Sequence, residues 1–150
     1  ADNCITDALL IAASRRGAAE YGAIETLLKG LETPLPEGII FHDKDGHPRD
    51  NIRVRWWDPA LKSYRSAALI DDATRAKIPD TPMSDAVAIG YPGDKPLFIG
   101  HYWMTGQPAP LTPSIACLDY SAGKGGPLVA YRWDGEDQLR AEKFFPSATN

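Results

Sequence analysis

"PLFIGHYWM", residues 96–104, joins a short apolar run to a histidine and two large aromatic residues. The β-prone residues at 97–99 predict a strand, and Gly100 predicts its end. His101 then falls where the chain turns and side chains meet solvent. An imidazole in that position is either a metal ligand or an ordinary histidine at a strand end. These nine residues leave both interpretations open.

Four strand-like runs make up the last third of the chain, with turns rich in Pro and Gly between them. They are "KPLFIGHYW" (95–103), "SIACLDYS" (114–121), "GPLVAYRWDG" (126–135) and "LRAEKFF" (139–145). Their apolar character is nearly continuous and does not alternate. Such runs are typical of the interior of a sheet covered on both faces, which is the arrangement we expect here.

Helices are predicted before the strands. Apolar residues recur at helical spacing in 5–16, with Thr6 or Asp7 at the start, and Gly17 interrupts the pattern. The pattern resumes over 18–30 and closes at Lys29 and Gly30, in the manner of a helix C-cap. A short helix is also predicted within 71–79, capped by Asp71 or Asp72 and stopped before Pro79.

A β-hairpin is predicted over 39–58, with one strand at 39–42 and a second in which Ile52, Val54 and Trp56 alternate with Arg53, Arg55 and Trp57. Gly46 supplies the turn. The arginines, with Arg65 and the two tryptophans, suggest a face that binds an anion or a nucleic acid. The acidic chain favours instead a hairpin with one packed and one solvated face. "TPLPEG" (33–38) is too short for a domain linker, and we expect it to be a stiff connector.

Composition limits the function classes. The 150 residues carry a net charge of −4, with a pI near 5.3, which argues against a nucleic-acid backbone or an anionic membrane as the main partner. No run approaches the ~18 apolar residues of a membrane span. Cys4 and Cys117 are too few for a disulfide framework, so we expect a buried free thiol at Cys117 and a cytoplasmic, reducing location. The opening Ala1, without a Met, suggests a processed or excised piece. We expect one domain or part of one over 1–150, of α+β class.

Three other motifs favour plain structural interpretations. "HDKDGH" (42–47) contains part of a calcium loop, but the later acidic positions are missing, and its two histidines lack further ligands, so a polar hairpin tip is expected. "GKGG" (123–126) lacks the spacing of a phosphate-binding loop and predicts a turn between strands. Ser121 lacks the Gly-x-Ser-x-Gly context of a nucleophile.

A family resemblance adds to this reading. "AIETLLKGLETPLPEG", "DKDGHPRDNIRVRWWD", "LFIGHYW", "ACLDYS" and "LVAYRWDGE" keep their order over most of the chain, from about Ile5 to Leu139. In this the chain resembles the C-terminal half of a bacterial calcineurin-like metallophosphoesterase of the serine/threonine-phosphatase-like type. The resemblance implies the sheet-rich C-terminal half of a β-sandwich, with flanking helices, a hairpin and a pair of divalent metals at strand ends.

The resemblance assigns one metal ligand. Gly100-His101 matches the family's Gly-His pair, which gives a histidine to one metal, and Mn, Fe and Zn all suit a neutral imidazole. Many members continue Gly-His-x-His, but Trp103 stands at the second position. The family's Asp-x-His, Gly-Asp-x-x-Asp and Gly-Asn-His-Glu motifs do not occur in this chain, and Gly93-Asp94 is followed by Lys-Pro. We therefore expect no catalytic residue and no tight metal binding in this chain alone.

Three functions remain open. The first is the C-terminal part of a metal-dependent phosphoesterase, inactive in isolation, whose partners are a phosphate-ester substrate and a missing N-terminal half, or another copy of the chain. The second is a self-standing binding or structural module without catalysis. The third is a single-metal or anion-binding protein that uses His42 and His47. The sequence does not identify the substrate.

Overall fold

A computed structural model describes residues 5–43, 46–84, 87 and 90–148. It is a mixed α and β structure with small sheets, about 23% helix and 21% strand. The mixed class agrees with the α+β expectation. Cys4, Lys44 and Asp45, which entered the arguments on cysteines and the calcium loop, lie outside the described residues.

The described residues form four short α-helices, of which three lie at or near the predicted positions and one, over residues 64–67, was not predicted. They are α1 (Asp7–Ala13), α2 (Ala19–Lys29), α3 (Tyr64–Ala67) and α4 (Asp72–Arg75). The Thr6 hydroxyl caps α1 by accepting from the Leu9 amide, and the Asp71 carboxylate caps α4 by accepting from the Thr74 amide. In the described part of the chain, no helix has the length and apolar character needed to cross a bilayer.

Gly30 ends α2 and requires the absence of a side chain. Its φ of 89° lies in the left-handed region, and a Cβ there would meet the Tyr102 hydroxyl at 2.2 Å. The predicted C-cap is confirmed, and it lets the end of α2 approach Tyr102 closely.

In the part of the chain that the structure describes, nine short strands form four separate sheets. They are β1 (Glu32–Pro34), β2 (Phe41–His42), β3 (Pro48–Arg49), β4 (Asn51–Arg53), β5 (Leu97–Ile99), β6 (Pro110–Thr112), β7 (Ile115–Cys117), β8 (Val129–Tyr131) and β9 (Phe144–Pro146). The pairs β1–β4, β2–β3 and β8–β9 are antiparallel, whereas the three-stranded sheet has the order β5-β7-β6, with β5 and β7 parallel.

The predicted hairpin over 39–58 is correct only at its tip. β2 pairs with β3 across the turn that contains Gly46, at a φ of 81°. The next strand, β4, pairs instead with β1, so that Ile52 faces Thr33. Thr33 and Ile52 are both buried, and this shared burial draws the first two residues of the predicted connector into β1, whereas residues 35–38 are not in a strand.

The four apolar runs of the last third do not form one covered sheet, and that expectation is wrong. The first two contribute β5 and β7, and the others contribute β8 and β9 in a separate two-stranded sheet. β6 was not predicted at all. Phe98 is 38% exposed and Leu128 is 69% exposed, so continuous apolar sequence here does not mean burial on both faces.

Three hydrophobic clusters form the core. The first surrounds Ile52 and Val54, the second surrounds Ala116 and Val129, and the third contains Ile115 and Cys117. Cys117 is a fully buried free thiol, as predicted, and burial raises its pKa.

The two N-terminal helices contribute no buried residue to these clusters. The exposed apolar residues of this region are Ile5, Leu10, Ile11, Leu27 and Leu28, all more than half exposed. Helices of this length draw most of their stability from packing an apolar face. The described residues do not supply that packing for α1 and α2.

A charged cluster fixes the β8–β9 hairpin. Lys143 Nζ donates to Glu136 Oε2 at 2.7 Å and to Asp134 Oδ2 at 3.0 Å, while the Tyr131 hydroxyl donates to Glu136 Oε1 at 2.6 Å. Burial of the Glu136 carboxyl opposes ionisation, but the hydrogen bonds from Lys143, Tyr131 and the Asp134 amide outweigh it and lower its pKa from 4.5 to about 2.

The stability of the chain should therefore depend on the protonation of Glu136. Because the folded pKa lies below the unfolded value, the contribution is complete above about pH 4.5 and disappears as the pH falls towards 2. We expect Glu136→Gln to lower the urea midpoint at pH 7 and to reduce its change between pH 4.5 and 2.5. The exposed Glu142→Gln is the matched control, and identical pH slopes for both variants would contradict the assignment.

Candidate functional site

The parallel strands β5 and β7 end at the same edge of their sheet. Leu97 pairs with Ile115 and Ile99 with Cys117, and the Leu118 amide donates to the Ile99 carbonyl at 2.9 Å. His101 therefore follows the end of one strand and Asp119 the end of its neighbour. We call residues 100–104 and 118–121 the strand-end edge. Ligands of parallel sheets bind outside the carboxyl ends of the strands, which makes this edge the candidate site.

Backbone strain is concentrated at the strand-end edge. Among the described residues, the three that are not glycine and have positive φ are His101 at 67°, Trp103 at 49° and Ser121 at 64°, and all belong to it. A left-handed conformation costs such a residue on the order of 1–3 kcal/mol and persists only where surrounding structure imposes it. Strain of this kind is typical of sites that hold a side chain for a task.

Asp119 holds the two sides of the edge together. Its Oδ2 accepts a hydrogen bond from the Trp103 amide at 3.2 Å, and its Oδ1 accepts one from the Ser121 amide at 3.0 Å. Its carbonyl accepts from the Met104 amide at 2.9 Å. Asp119 was missed in the sequence, although a carboxylate directly after an apolar run, in "ACLDYS", is a usable signal. It positions the strained backbone and so indirectly His101.

The His101 side chain is half-buried at this edge. Its carbonyl accepts a hydrogen bond from Arg53 Nη1 at 2.9 Å, and its ring centre lies 5.4 Å from that of Trp103. In the part of the chain that the structure describes, neither imidazole nitrogen has a hydrogen-bond partner. The backbone of His101 is thus fixed on two sides, by Arg53 and through Asp119.

The described residues do not form a complete metal site. No group of three or more His, Cys, Asp or Glu side chains that could hold an ion lies within residues 5–43, 46–84, 87 and 90–148. A neutral imidazole such as that of His101 can bind a divalent metal, but the described residues do not group further His, Cys, Asp or Glu side chains around it. No reaction step through a metal follows from these residues alone.

The other two histidines lie on the β2–β3 hairpin, where the sequence predicted a polar tip. His42 is exposed in β2, and the His47 side chain is 69% exposed, with its Nδ1 3.5 Å from Asp43 Oδ1. An exposed imidazole beside a carboxylate of its own turn is typical of a solvated surface. No third metal-binding side chain joins them within the described residues.

The glycine-rich motif forms the predicted turn between β7 and β8. Residues Ala122–Lys124 make a short 3₁₀ turn, and Gly125 follows at a φ of 88°. A Cβ on Gly126 would lie 1.9 Å from the Tyr120 carbonyl oxygen, so close backbone approach explains this glycine. Lys124 Nζ lies 4.3 Å from the centre of the Trp103 ring, which brings the turn to the strand-end edge.

A cleft of about 1120 Å³ lies beside the strand-end edge. Tyr102, Trp103 and Ser121 form part of one wall, and residues of β4 form part of the other. Arg53 and Arg55 both line it, and the Arg53 side chain is only 18% exposed. The predicted packed face is confirmed by the burial of Ile52 and Val54, but the opposite face is only partly solvated, because both arginines are half-buried. Arg65, in contrast, is exposed.

Comparison with known proteins finds no match to this chain, whether among protein-family models, curated proteins or solved structures.

Proposed function

We propose that this chain is the C-terminal part of a metal-dependent phosphoesterase, in which His101 supplies one ligand to a pair of divalent metals. Mn, Fe and Zn are the candidate metals, because each accepts a neutral imidazole. The remaining ligands come from an N-terminal half in the same polypeptide, folded as the other part of a β-sandwich. We also place the protein in the cytoplasm, where a thiol such as Cys117 stays reduced.

The observation that carries this proposal is the strained backbone at His101. Its φ of 67° costs free energy, and hydrogen bonds made by Arg53 and Asp119 hold the surrounding edge in place. Trp103 and Ser121 share this conformation, so the strain marks the whole strand-end edge, and His101 is the residue of that edge whose side chain suits a metal. The location at the carboxyl ends of parallel strands, with a cleft alongside, agrees with a ligand site.

The exposed apolar side chains of α1 and α2 support the proposal that a further segment covers them. Leu27 is 77% exposed and Leu28 64%, and neither helix buries a residue against the rest of the chain. Apolar side chains exposed to this extent on two neighbouring helices are typical of an interaction site. The proposed occupant of this surface is the N-terminal half that also brings the other metal ligands.

Three residues at or beside the strand-end edge have separate roles in this proposal. His101 holds one metal through its imidazole, Asp119 fixes the backbone on both sides of the edge, and Arg53 fixes the His101 carbonyl. When bound, a divalent metal pair polarises a phosphoryl oxygen and stabilises both attacking and leaving oxygens. The described residues offer no substitute for that chemistry, so the activity depends on the missing ligands.

The second candidate is a self-standing binding module without catalysis. It is favoured by the three core clusters, which are assembled from this chain's own residues, and by the lack of a metal-binding group among the described ones. In that case His101 is a strand-end residue and the cleft alone carries the function. The two candidates differ in whether sequence before residue 1 should add metal-dependent hydrolysis.

A hydrolysis assay distinguishes the two candidates. We expect the full-length gene product to hydrolyse p-nitrophenyl phosphate in the presence of Mn, and residues 1–150 alone to show no metal-dependent turnover, because one histidine cannot hold a metal pair. Turnover is measured by release of p-nitrophenolate, with protein length verified by intact mass.

Addition of a chelator to the full-length protein is the control for metal dependence. Manganese-stimulated turnover by residues 1–150 would contradict the proposal that these residues hold only part of the metal site. A full-length protein that folds and binds no metal would overturn the phosphoesterase and favour the binding module.

A further inference from the structure

Two arginines line the cleft, Arg53 at the end of β4 and Arg55 two residues later, and each has one side-chain donor that no group of the described residues accepts. Along β4 and the residue after it, Ile52 and Val54 are buried in the core, so the alternation of side chains turns Arg53 and Arg55 to the opposite side. Both Nε atoms are buried and have no hydrogen-bond partner within the described residues. Buried polar atoms without a partner are rare in native proteins and require a reason.

Arg55 lines the cleft without a hydrogen-bonded carboxylate among the described residues, and Asp58 is the nearby acidic group that favours its charge. The Arg55 Nη2 donates to the Ser66 carbonyl, and Arg55 forms no salt bridge with any carboxylate in the described ranges. Burial, and then the neighbouring Arg75, lower the pKa of its guanidinium. A half-buried cation paired only with a backbone carbonyl is costly, and an anion in the cleft would offset that cost.

The other arginines that line the cleft each have a carboxylate partner, which sets Arg55 apart. Arg75 donates to Asp72 Oδ1 at 2.7 Å and to the Ile70 carbonyl at 2.6 Å. Arg49 Nη2 lies 2.7 Å from Asp43 Oδ2. Arg53 has an intermediate position, because its two terminal nitrogens donate to His101 and Glu32 while its Nε does not donate.

We propose that Arg55, assisted by Arg53, binds the phosphoryl group of a ligand in this cleft. A guanidinium presents a planar fork of donors that matches two oxygens of a phosphoryl group at once. The choice of a phosphoryl group over other anions rests on the proposed phosphoesterase function. The Arg53 bond to the His101 carbonyl places this anion site next to the proposed metal ligand.

The size of the cleft indicates more than an inorganic ion as the natural ligand. A volume of about 1120 Å³ exceeds that of a phosphate group, and aromatic side chains such as Phe41 and Tyr102 line it. The ligand is therefore a phosphorylated molecule whose remainder contacts the apolar part of the cleft, with Arg55 fixing its charged end.

The test is phosphate binding by full-length protein freed of metal with a chelator, so that no metal contributes to the affinity. We expect inorganic phosphate to bind, measured by calorimetry and by a rise in the melting temperature. Arg55→Ala should weaken binding by about 10-fold to 100-fold, since hydrogen bonds to charged groups contribute roughly 1.5–3 kcal/mol. Arg55→Lys retains the charge and a donor for the Ser66 carbonyl but lacks the fork, and it should weaken binding by a smaller but measurable factor.

Arg132→Ala is the matched control, because it removes the same charge from an exposed side chain outside the cleft, and we expect unchanged binding. Should Arg55→Ala unfold, the comparison of Arg55→Lys with the original protein decides. Absence of phosphate binding, or equal affinities for Arg55→Lys and the original protein, would overturn the anion site. Binding that depends on Arg55 in a protein without hydrolytic activity would keep the site and remove the phosphoesterase.

Discussion

Replacement of His101 by alanine in the full-length protein is expected to lower metal-dependent hydrolysis by more than about 100-fold. Loss of groups that only orient metal ligands typically costs 10–100-fold in affinity or activity, and His101 is proposed as a ligand itself. Metal content, measured by mass spectrometry of the purified protein, should fall together with activity. A fall in activity with full metal content would contradict the assignment.

The other two histidines are the controls for that experiment. His42→Ala and His47→Ala remove the same group from the exposed β2–β3 hairpin, and we expect metal content and activity close to those of the original protein. Equal losses from all three substitutions would show that position at the strand-end edge does not matter.

His101→Gly separates a functional role from a structural one. Glycine adopts a φ of 67° without the cost that a side chain incurs, although it adds about 0.5–1 kcal/mol of unfolded-state entropy. The free energy of unfolding should therefore stay unchanged or rise by up to about 1 kcal/mol while metal binding is lost. A large loss of stability would instead mean that the imidazole serves the fold.

The helices and their ends could be read from the sequence because their signals are local. Thr6 and Asp71 cap helices through their own side chains, and Gly30 ends one by taking a positive φ. Each of these effects involves residues within one helical turn. For the same reason the Gly46 turn was placed correctly, whereas the partner of β4 was not.

Strand partners could not be read, because they depend on which distant side chains share a core. β4 pairs with β1 and not with β2, since Ile52 and Thr33 are buried together. No sequence signal near residue 33 indicates this pairing, and the prolines around it are typical of a connector. Likewise, "GPLVAYRWDG" has the apolar character of an interior strand, yet Leu128 remains largely exposed.

Half of the candidate site was visible in the sequence, and half required the structure. His101 was marked by its place after a predicted strand. The role of Asp119 depends on β5 and β7 being parallel neighbours, and the cleft position of Arg53 depends on the β1–β4 pair facing the strand-end edge. Both conditions are long-range, which is why the arginines were assigned to a solvated face.

The apolar surface of α1 and α2 has a further consequence for residues 1–150 on their own. Ile11 is 54% exposed and Leu28 64%, and the small sheets leave β5, β6, β8 and β9 as edge strands. Exposed apolar helices and unpaired edges favour association. The proposed N-terminal half would cover the helical surface, and without it another copy of the chain is the available partner.

We therefore expect residues 1–150, expressed alone, to sediment as dimers or larger species at micromolar concentration. The double substitution Ile11→Glu and Leu28→Glu should shift the distribution towards monomer, because charges on that surface oppose its burial. Thr26→Glu adds a charge to an exposed polar position of the same helix and should leave association unchanged. The full-length protein should not associate through this surface, because the N-terminal half would cover it. A compact monomer of residues 1–150 that unfolds cooperatively would mean that the exposed helices need no partner, and it would favour the self-standing module over the phosphoesterase.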